Sequence, residues 1–210
     1  MKHSVMKRLT LSLAATSLLL GSLTACVPLV IGGAAAGGSL VATDRRTSGA
    51  QLEDEGIELR GYSRLRSAIG DRAHINVTSY NRQVLMTGEV PTEADKQLVE
   101  QTVSRVENVT AVVNELAVIG NATLTQRSSD ALVTGRVKAM LLDAPDLFSN
   151  AFKVVTERGS TYLMGRVTQR EADRATEVVR ATPGVQKVIR IFEIISEQEL
   201  ARMLPAPAKP

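Results

Sequence analysis

One short pattern occurs twice in this chain, and it restricts the fold more than any other feature. Val84-Leu85-Met86-Thr87-Gly88-Glu89-Val90 and Thr161-Tyr162-Leu163-Met164-Gly165-Arg166-Val167 place their glycines 77 residues apart. A helix start follows each, Pro91-Thr92-Glu93-Ala94-Asp95-Lys96 and Thr168-Gln169-Arg170-Glu171-Ala172-Asp173-Arg174, with a threonine ahead of first-turn acids. A turn and an apolar strand come next: Asn108-Val109 before residues 112–119, and Pro183-Gly184-Val185 before residues 188–195. Upstream, residues 75–78 and 152–155 read as strands, joined to the glycine strands by hairpins through Asn81-Arg82 and Arg158-Gly159-Ser160. A helix precedes each hairpin. Leu59, Tyr62, Leu65 and Ile69 mark the core face of one, and Val133, Val137, Met140 and Leu141 that of the other. The order α-β-β-α-β is therefore written twice.

The two units resemble the BON domain (bacterial OsmY and nodulation), whose mark is an apolar strand ending in Gly-x-Val, a helix, then Gly-Val-x-x-Val. The second unit carries it through Gly165-Arg166-Val167 and Gly184-Val185-Gln186-Lys187-Val188. The first carries Gly88-Glu89-Val90 but has Asn108 where the turn glycine belongs, and asparagine tolerates positive φ better than most residues. The resemblance implies an α+β chain of tandem α-β-β-α-β domains, 51–120 and 121–196. Each is expected to be a three-stranded mixed sheet with two helices on one face and a right-handed crossover. A unit of roughly 65–75 residues has a small core, so each copy is expected to pack on the other or on a partner.

Residues 1–25 read as an export signal: Lys2, Lys7 and Arg8 precede an apolar run from 9 to 23 that is short for a mature membrane helix. Cys26, the single cysteine, ends Leu23-Thr24-Ala25-Cys26, which resembles the lipobox of bacterial lipoproteins. That resemblance implies a thiol carrying diacylglycerol, an acylated (palmitate-type) amine and cleavage before the cysteine. Two or three chains anchor firmly where one binds marginally. Val27, rather than Asp, after the cysteine implies the outer membrane, with the domains facing the periplasm. Residues 26–50, rich in Gly and Ala around Gly32-Gly33-Ala34-Ala35-Ala36-Gly37-Gly38, are expected to form a flexible tether. Residues 197–210, ending in Pro205-Ala206-Pro207-Ala208-Lys209-Pro210, are expected to be a disordered tail. The lipobox, the tether with its Ala42-Thr43-Asp44-Arg45-Arg46-Thr47, and the doubled unit together resemble outer-membrane lipoproteins with two BON domains.

Charge argues against nucleic acid. The chain has 25 Lys+Arg against 22 Asp+Glu, but three cations leave with the signal and the balance becomes neutral. There is no tryptophan, and three tyrosines and three phenylalanines lie scattered rather than interleaved with basic residues. Nothing marks an enzyme. His74 stands alone at a strand start and reads as a surface residue, no Cys/His cluster has metal-ligand spacing, and the glycine run lacks the Lys-Ser/Thr of a phosphate loop. Asp143 and Asp146 read as turn residues. No catalytic residue, metal or cofactor is expected beyond the lipid on Cys26.

A binding surface remains. Residues 44–120 carry 9 cations and 12 anions, and residues 121–195 carry 11 and 8, so the copies differ in sign. Either they attract each other, or the second faces an anionic target. With Val133, Val137 and Met140 inward, a 100° step places Leu132, Gly135, Ala139 and Leu142 on the far side, flanked by Arg136 and Lys138. That second stripe either packs against the first copy or meets lipid. The resemblance implies the latter: in such lipoproteins this helix of the second domain binds anionic phospholipid of the phosphatidylglycerol kind. Leu132 stands where they can carry a bulky aromatic, and Phe148 in the following loop is expected in the core. The expected contact set is Leu132, Val133, Gly135, Arg136, Lys138, Ala139 and Leu142, and the expected role is support of outer-membrane integrity. The competing reading is an adaptor for outer-membrane assembly or cell-wall proteins.

Overall fold

The two hairpin turns set the register of everything around them. In the computed structural model, which describes residues 44–203, Asn81 and Arg82 take φ of 50° and 66°, and Arg158 and Gly159 take 52° and 73°. Two successive positive φ values make the tight turn whose twist matches that of antiparallel strands. Asn, and especially Arg, adopt it here because an aspartate one helix upstream holds both turn amides. Asp54 accepts from the amides of Asn81 and Arg82 at 2.8 Å each, and Asp130 accepts from those of Arg158 (2.8 Å) and Gly159 (3.0 Å). Burial alone would raise the Asp54 carboxyl pKa, but the hydroxyl of Ser79, the turn amides and Arg46 hold it below its ordinary value.

The first repeat runs α1 (Ser48–Ile69), β1 (His74–Tyr80), β2 (Gln83–Val90), α2 (Glu93–Ser104), β3 (Ala111–Asn114) and β4 (Ala117–Val118). The second runs α3 (Leu124–Asp143), β5 (Lys153–Glu157), β6 (Ser160–Val167), α4 (Gln169–Arg180) and β7 (Lys187–Ile194), and α5 (Glu197–Met203) follows. Strand β2 pairs antiparallel with β1 and parallel with β3 and β4; β6 pairs antiparallel with β5 and parallel with β7. The mixed α+β order expected of each unit is present, with the third strand of the first repeat broken into two short pieces.

Alternation along the strands sorts their side chains between two faces. Val77, Val84, Met86 and Val90 join Ile57, Leu65, Ile69, Val99 and Val103 of the helices in one core, and Val154, Leu163 and Val167 join Val133, Val137, Leu141, Ala175 and Val179 in another. The opposite faces meet each other. Tyr80 and Leu85 of the first sheet pack with Tyr162, Met164 and Ile191 of the second in a third cluster. The copies therefore bury their helix-free faces sheet against sheet, as the small size of each core requires. Burial comes first in pushing the phenols of Tyr80 and Tyr162 up to about 12.

The opposite charges of the copies are partly spent at this seam. Lys153 donates to Glu58 at 2.7 Å and to the Ser79 carbonyl at 3.1 Å, and Asn81 donates to Glu193 at 2.7 Å. The residues ahead of α1 join both halves. Arg45 forks onto Glu171 of α4 at 2.7 and 2.6 Å, while Arg46 bonds Asp54 at 2.8 Å and lies 4.4 Å over the ring of Tyr80.

Two turn positions bear out the sequence pattern. Gly184 has φ 99°, and a β-carbon there would come 2.6 Å from Val133 Cγ2; Asn108 takes the equivalent turn with φ 67°. Gly88 has φ 115°, and a β-carbon would collide with the carbonyl oxygen of His74. Gly165 holds the matching place in β6.

Several expectations need correction. Leu59 and Tyr62 are exposed and the core face of α1 is Ile57, Gly61, Leu65 and Ile69; Met140 is likewise exposed beside buried Val137 and Leu141. An error of one residue in helical phase turns a side chain through 100°. Residues 44–50, assigned to the tether, are packed by the Arg45 and Arg46 contacts, and α1 begins at Ser48. Residues 197–203, assigned to a disordered tail, form α5: Leu200 is buried and Glu199 bonds Arg166 at 2.9 Å. Cys26, the signal, the Gly/Ala run and residues 204–210 lie outside the described residues.

Candidate functional site

Helix α3 begins at a reciprocal cap, with the Thr123 hydroxyl accepting from the Gln126 amide and the Gln126 side chain accepting from that of Thr123. Its inner stripe, Asp130, Val133, Val137 and Leu141, recurs every three or four residues and closes the second core. Leu132 lies 100° from Val133 and therefore points away, and it is 64% exposed; Leu142 is 71% exposed. Gly135 and Ala139 complete the same outward face, and Leu124 and Met140 are exposed on the helix as well.

Neither the first repeat nor any other described residue covers that face, so packing of the stripe against the first copy is ruled out. Val133 must be withdrawn from the expected contact set, because it is only 4% exposed and fills the space beside Gly184. Phe148 is corrected in the other direction: expected in the core, it is 43% exposed in the loop after α3.

The two cations flank the stripe differently. Arg136 reaches the Pro183 carbonyl at 3.5 Å, in the turn after α4. Lys138 is exposed, without a hydrogen bond or ion pair among the described residues, and stands at the rim of a cleft of about 660 Å³. Arg46, Tyr80, Leu142, Phe152 and Lys153 also line it. Among the described residues no helix is long and apolar enough to cross a membrane.

The BON domain model matches residues 57–120 and again 129–195. The chain belongs to the BON-domain family. It is 35% identical to the outer membrane lipoprotein DolP of Haemophilus influenzae, across 93% of this chain and all of that one, and is DolP-like in carrying two such domains. It is 33% identical to the 21 kDa hemolysin of Actinobacillus pleuropneumoniae, over 72% of this chain and 79% of that protein. Identity to the osmotically-inducible protein Y of Escherichia coli is 30%, over 54% of this chain and 58% of the other.

The fold also joins residues that look unrelated along the chain. The turn-holding aspartates, Asp54 and Asp130, are legible only once the repeats are aligned through their hairpins. His74 is not alone. Register places it opposite Glu89, with Nδ1 3.1 Å from Oε2, and sheet packing brings Glu157 beside them.

Proposed function

We propose that this BON-domain protein is an outer-membrane lipoprotein, anchored through Cys26 and facing the periplasm. In this reading its second domain binds anionic phospholipid through α3 and supports the integrity of the membrane. The observation that carries the reading is the outward face of α3: Leu132, Gly135, Ala139 and Leu142 uncovered, between Arg136 and the unpaired Lys138. An amphipathic surface of this kind lies in the interface, with leucines in the acyl boundary and cations at the phosphates. Each cation near an anionic bilayer adds roughly 1 kcal/mol. The likeness to an outer membrane lipoprotein supports the location. The anchor raises the local concentration of the domain at the lipid, so contacts that are weak alone can hold it there.

The test is flotation of residues 26–210 carrying Cys26→Ser with vesicles of zwitterionic lipid, with and without phosphatidylglycerol, at low and high salt. Binding to the anionic vesicles alone, weakened by salt and lost in Leu132→Glu, is the expected outcome. Failure to float at low salt would overturn the lipid role and turn the search to protein partners.

A further inference from the structure

The seam between the repeats holds a group of side chains that neither the pairing of the sheets nor a lipid-binding surface uses. His74 and Glu89 face each other across the β1–β2 ladder, on the side that meets the second repeat. Glu157, the last residue of β5, comes in from the opposite sheet. One ligand atom from each, an imidazole nitrogen and two carboxylate oxygens, lies within 4.8 Å of the others.

The partners of this group leave it incomplete. Glu89 is fully buried. Its Oε2 accepts from the Ala122 amide at 3.0 Å and sits 3.1 Å from His74 Nδ1, but Oε1 has no hydrogen-bond partner. Arg158 Nη1 pairs with that oxygen only at 3.8 Å, beyond hydrogen-bond range, from a side chain that is 41% exposed. Glu157 is also buried, and accepts from Asn76 Nδ2 at 2.8 Å. Burial raises its pKa, the Asn76 bond opposes this, and the charge of Glu89 raises it further. Two buried carboxylates side by side, one with a bare oxygen, are stable when a cation lies between them.

We propose that His74, Glu89 and Glu157 form a divalent metal site, of the kind that takes Zn²⁺, which joins the two BON domains across their seam. Imidazole nitrogen and carboxylate oxygen are both zinc ligands, and a set that includes nitrogen differs from the all-oxygen sets of magnesium and calcium. Zinc ligands at about 2.0–2.1 Å stand roughly 3.3 Å apart at a tetrahedral centre, close to the 3.1 Å between His74 Nδ1 and Glu89 Oε2. The two carboxylates neutralise the ion, and His74, itself part-exposed, opens the site to solvent for entry and for a water as fourth ligand. Because the ligands come from both repeats, the metal binds only the packed pair and therefore stabilises it.

Tag-free residues 26–210 with Cys26→Ser, stripped with a chelator, would be titrated calorimetrically with Zn²⁺, and separately with Mg²⁺ and Ca²⁺. The expected result is one Zn²⁺ per chain, with a rise in melting temperature of about 5 °C at a hundredfold excess over Kd. Glu157→Gln, which keeps the Asn76 contact, should weaken binding at least tenfold, and His74→Ala should do the same. No heat above dilution, Mg²⁺ binding as tight as Zn²⁺, or Zn²⁺ binding unchanged in both variants would overturn the site. Should either variant fail to fold, X-ray absorption of the zinc-loaded parent decides. A nitrogen in the first shell is expected, and a shell of oxygen alone would overturn the assignment.

Discussion

Arg45 and Glu171 stand 126 residues apart and form a two-pronged ion pair, both side chains buried, where the chain enters its first repeat and α4 of the second repeat begins. Arg45 also donates to the Arg166 carbonyl at 2.8 Å, and Glu171 closes the cap of α4 onto the Thr168 amide at 3.0 Å. The pair thus ties the segment ahead of α1 to the second domain. Removing one member leaves the other charged and buried, so Arg45→Met should cost about 3–5 kcal/mol. In thermal melts that is a fall of roughly 10 °C. Arg45→Met with Glu171→Leu should recover much of the loss.

The same pair gives the protein an acid limit. Burial would raise the Glu171 carboxyl pKa, but the bonds from Arg45 and Thr168 outweigh it and hold the group below its ordinary 4.5. Asp54 is held below its ordinary 3.8 by its own donors. A carboxyl depressed in the folded state adds stability that is present above its unfolded pKa and is lost as pH falls through the folded one. Denaturation at a series of pH values should therefore show stability dropping below pH 4.5. The penalty of Arg45→Met should shrink over the same range, because protonated Glu171 no longer needs a cation.

The buried seam should make the two repeats unfold as one cooperative unit. Met164 is fully buried between the sheets, among Tyr80, Leu85, Tyr162 and Ile191. Met164→Ala should cost about 2–5 kcal/mol. Met164→Lys should do more, separating the sheets so that calorimetry records two transitions where the parent gives one. A single transition for Met164→Lys would mean that the repeats do not depend on this contact.

The two turn positions should respond unequally to alanine. At Gly184 the positive φ and the approach of Val133 act together, and Gly184→Ala should cost about 1–3 kcal/mol. Asn108 already tolerates φ 67° with a side chain, so Asn108→Ala should lose only about 1 kcal/mol, partly through its 3.1 Å bond to Glu53. Urea midpoints of the two variants measure the difference.

Helix α5 should matter to stability although it closes no domain. Truncation after residue 196 removes buried Leu200 and the Glu199–Arg166 bond. Exposing the surface beneath one leucine costs about 1.5–3 kcal/mol, which a shifted urea midpoint would report. An unchanged midpoint would make α5 an ornament of the second repeat.

Local patterns determined a good deal by themselves. The spacing of Gly88 and Gly165, the hairpin residues Asn81-Arg82 and Arg158-Gly159, and the threonine caps Thr92 and Thr168 fix element type and order, because each acts on the backbone within a few residues of itself. The outward face of α3 was legible for the same reason, since a 100° step is a local property. Phase is a finer property: Tyr62 and Met140 stand one residue from buried Gly61 and Leu141, Leu59 stands two from Ile57 and Gly61, and all three face solvent.

What the tertiary structure decided is which surfaces meet. The sequence shows that each sheet carries its helices on one face but not that the helix-free faces close on each other, because that choice depends on matching shape and charge over residues more than 70 apart. Sheet packing set Glu157 beside His74 and Glu89, seated Arg45 on Glu171, and left Leu132 and Leu142 uncovered. Side chains of one repeat acquire partners in the other only after both have folded, and no periodicity along the chain carries that information.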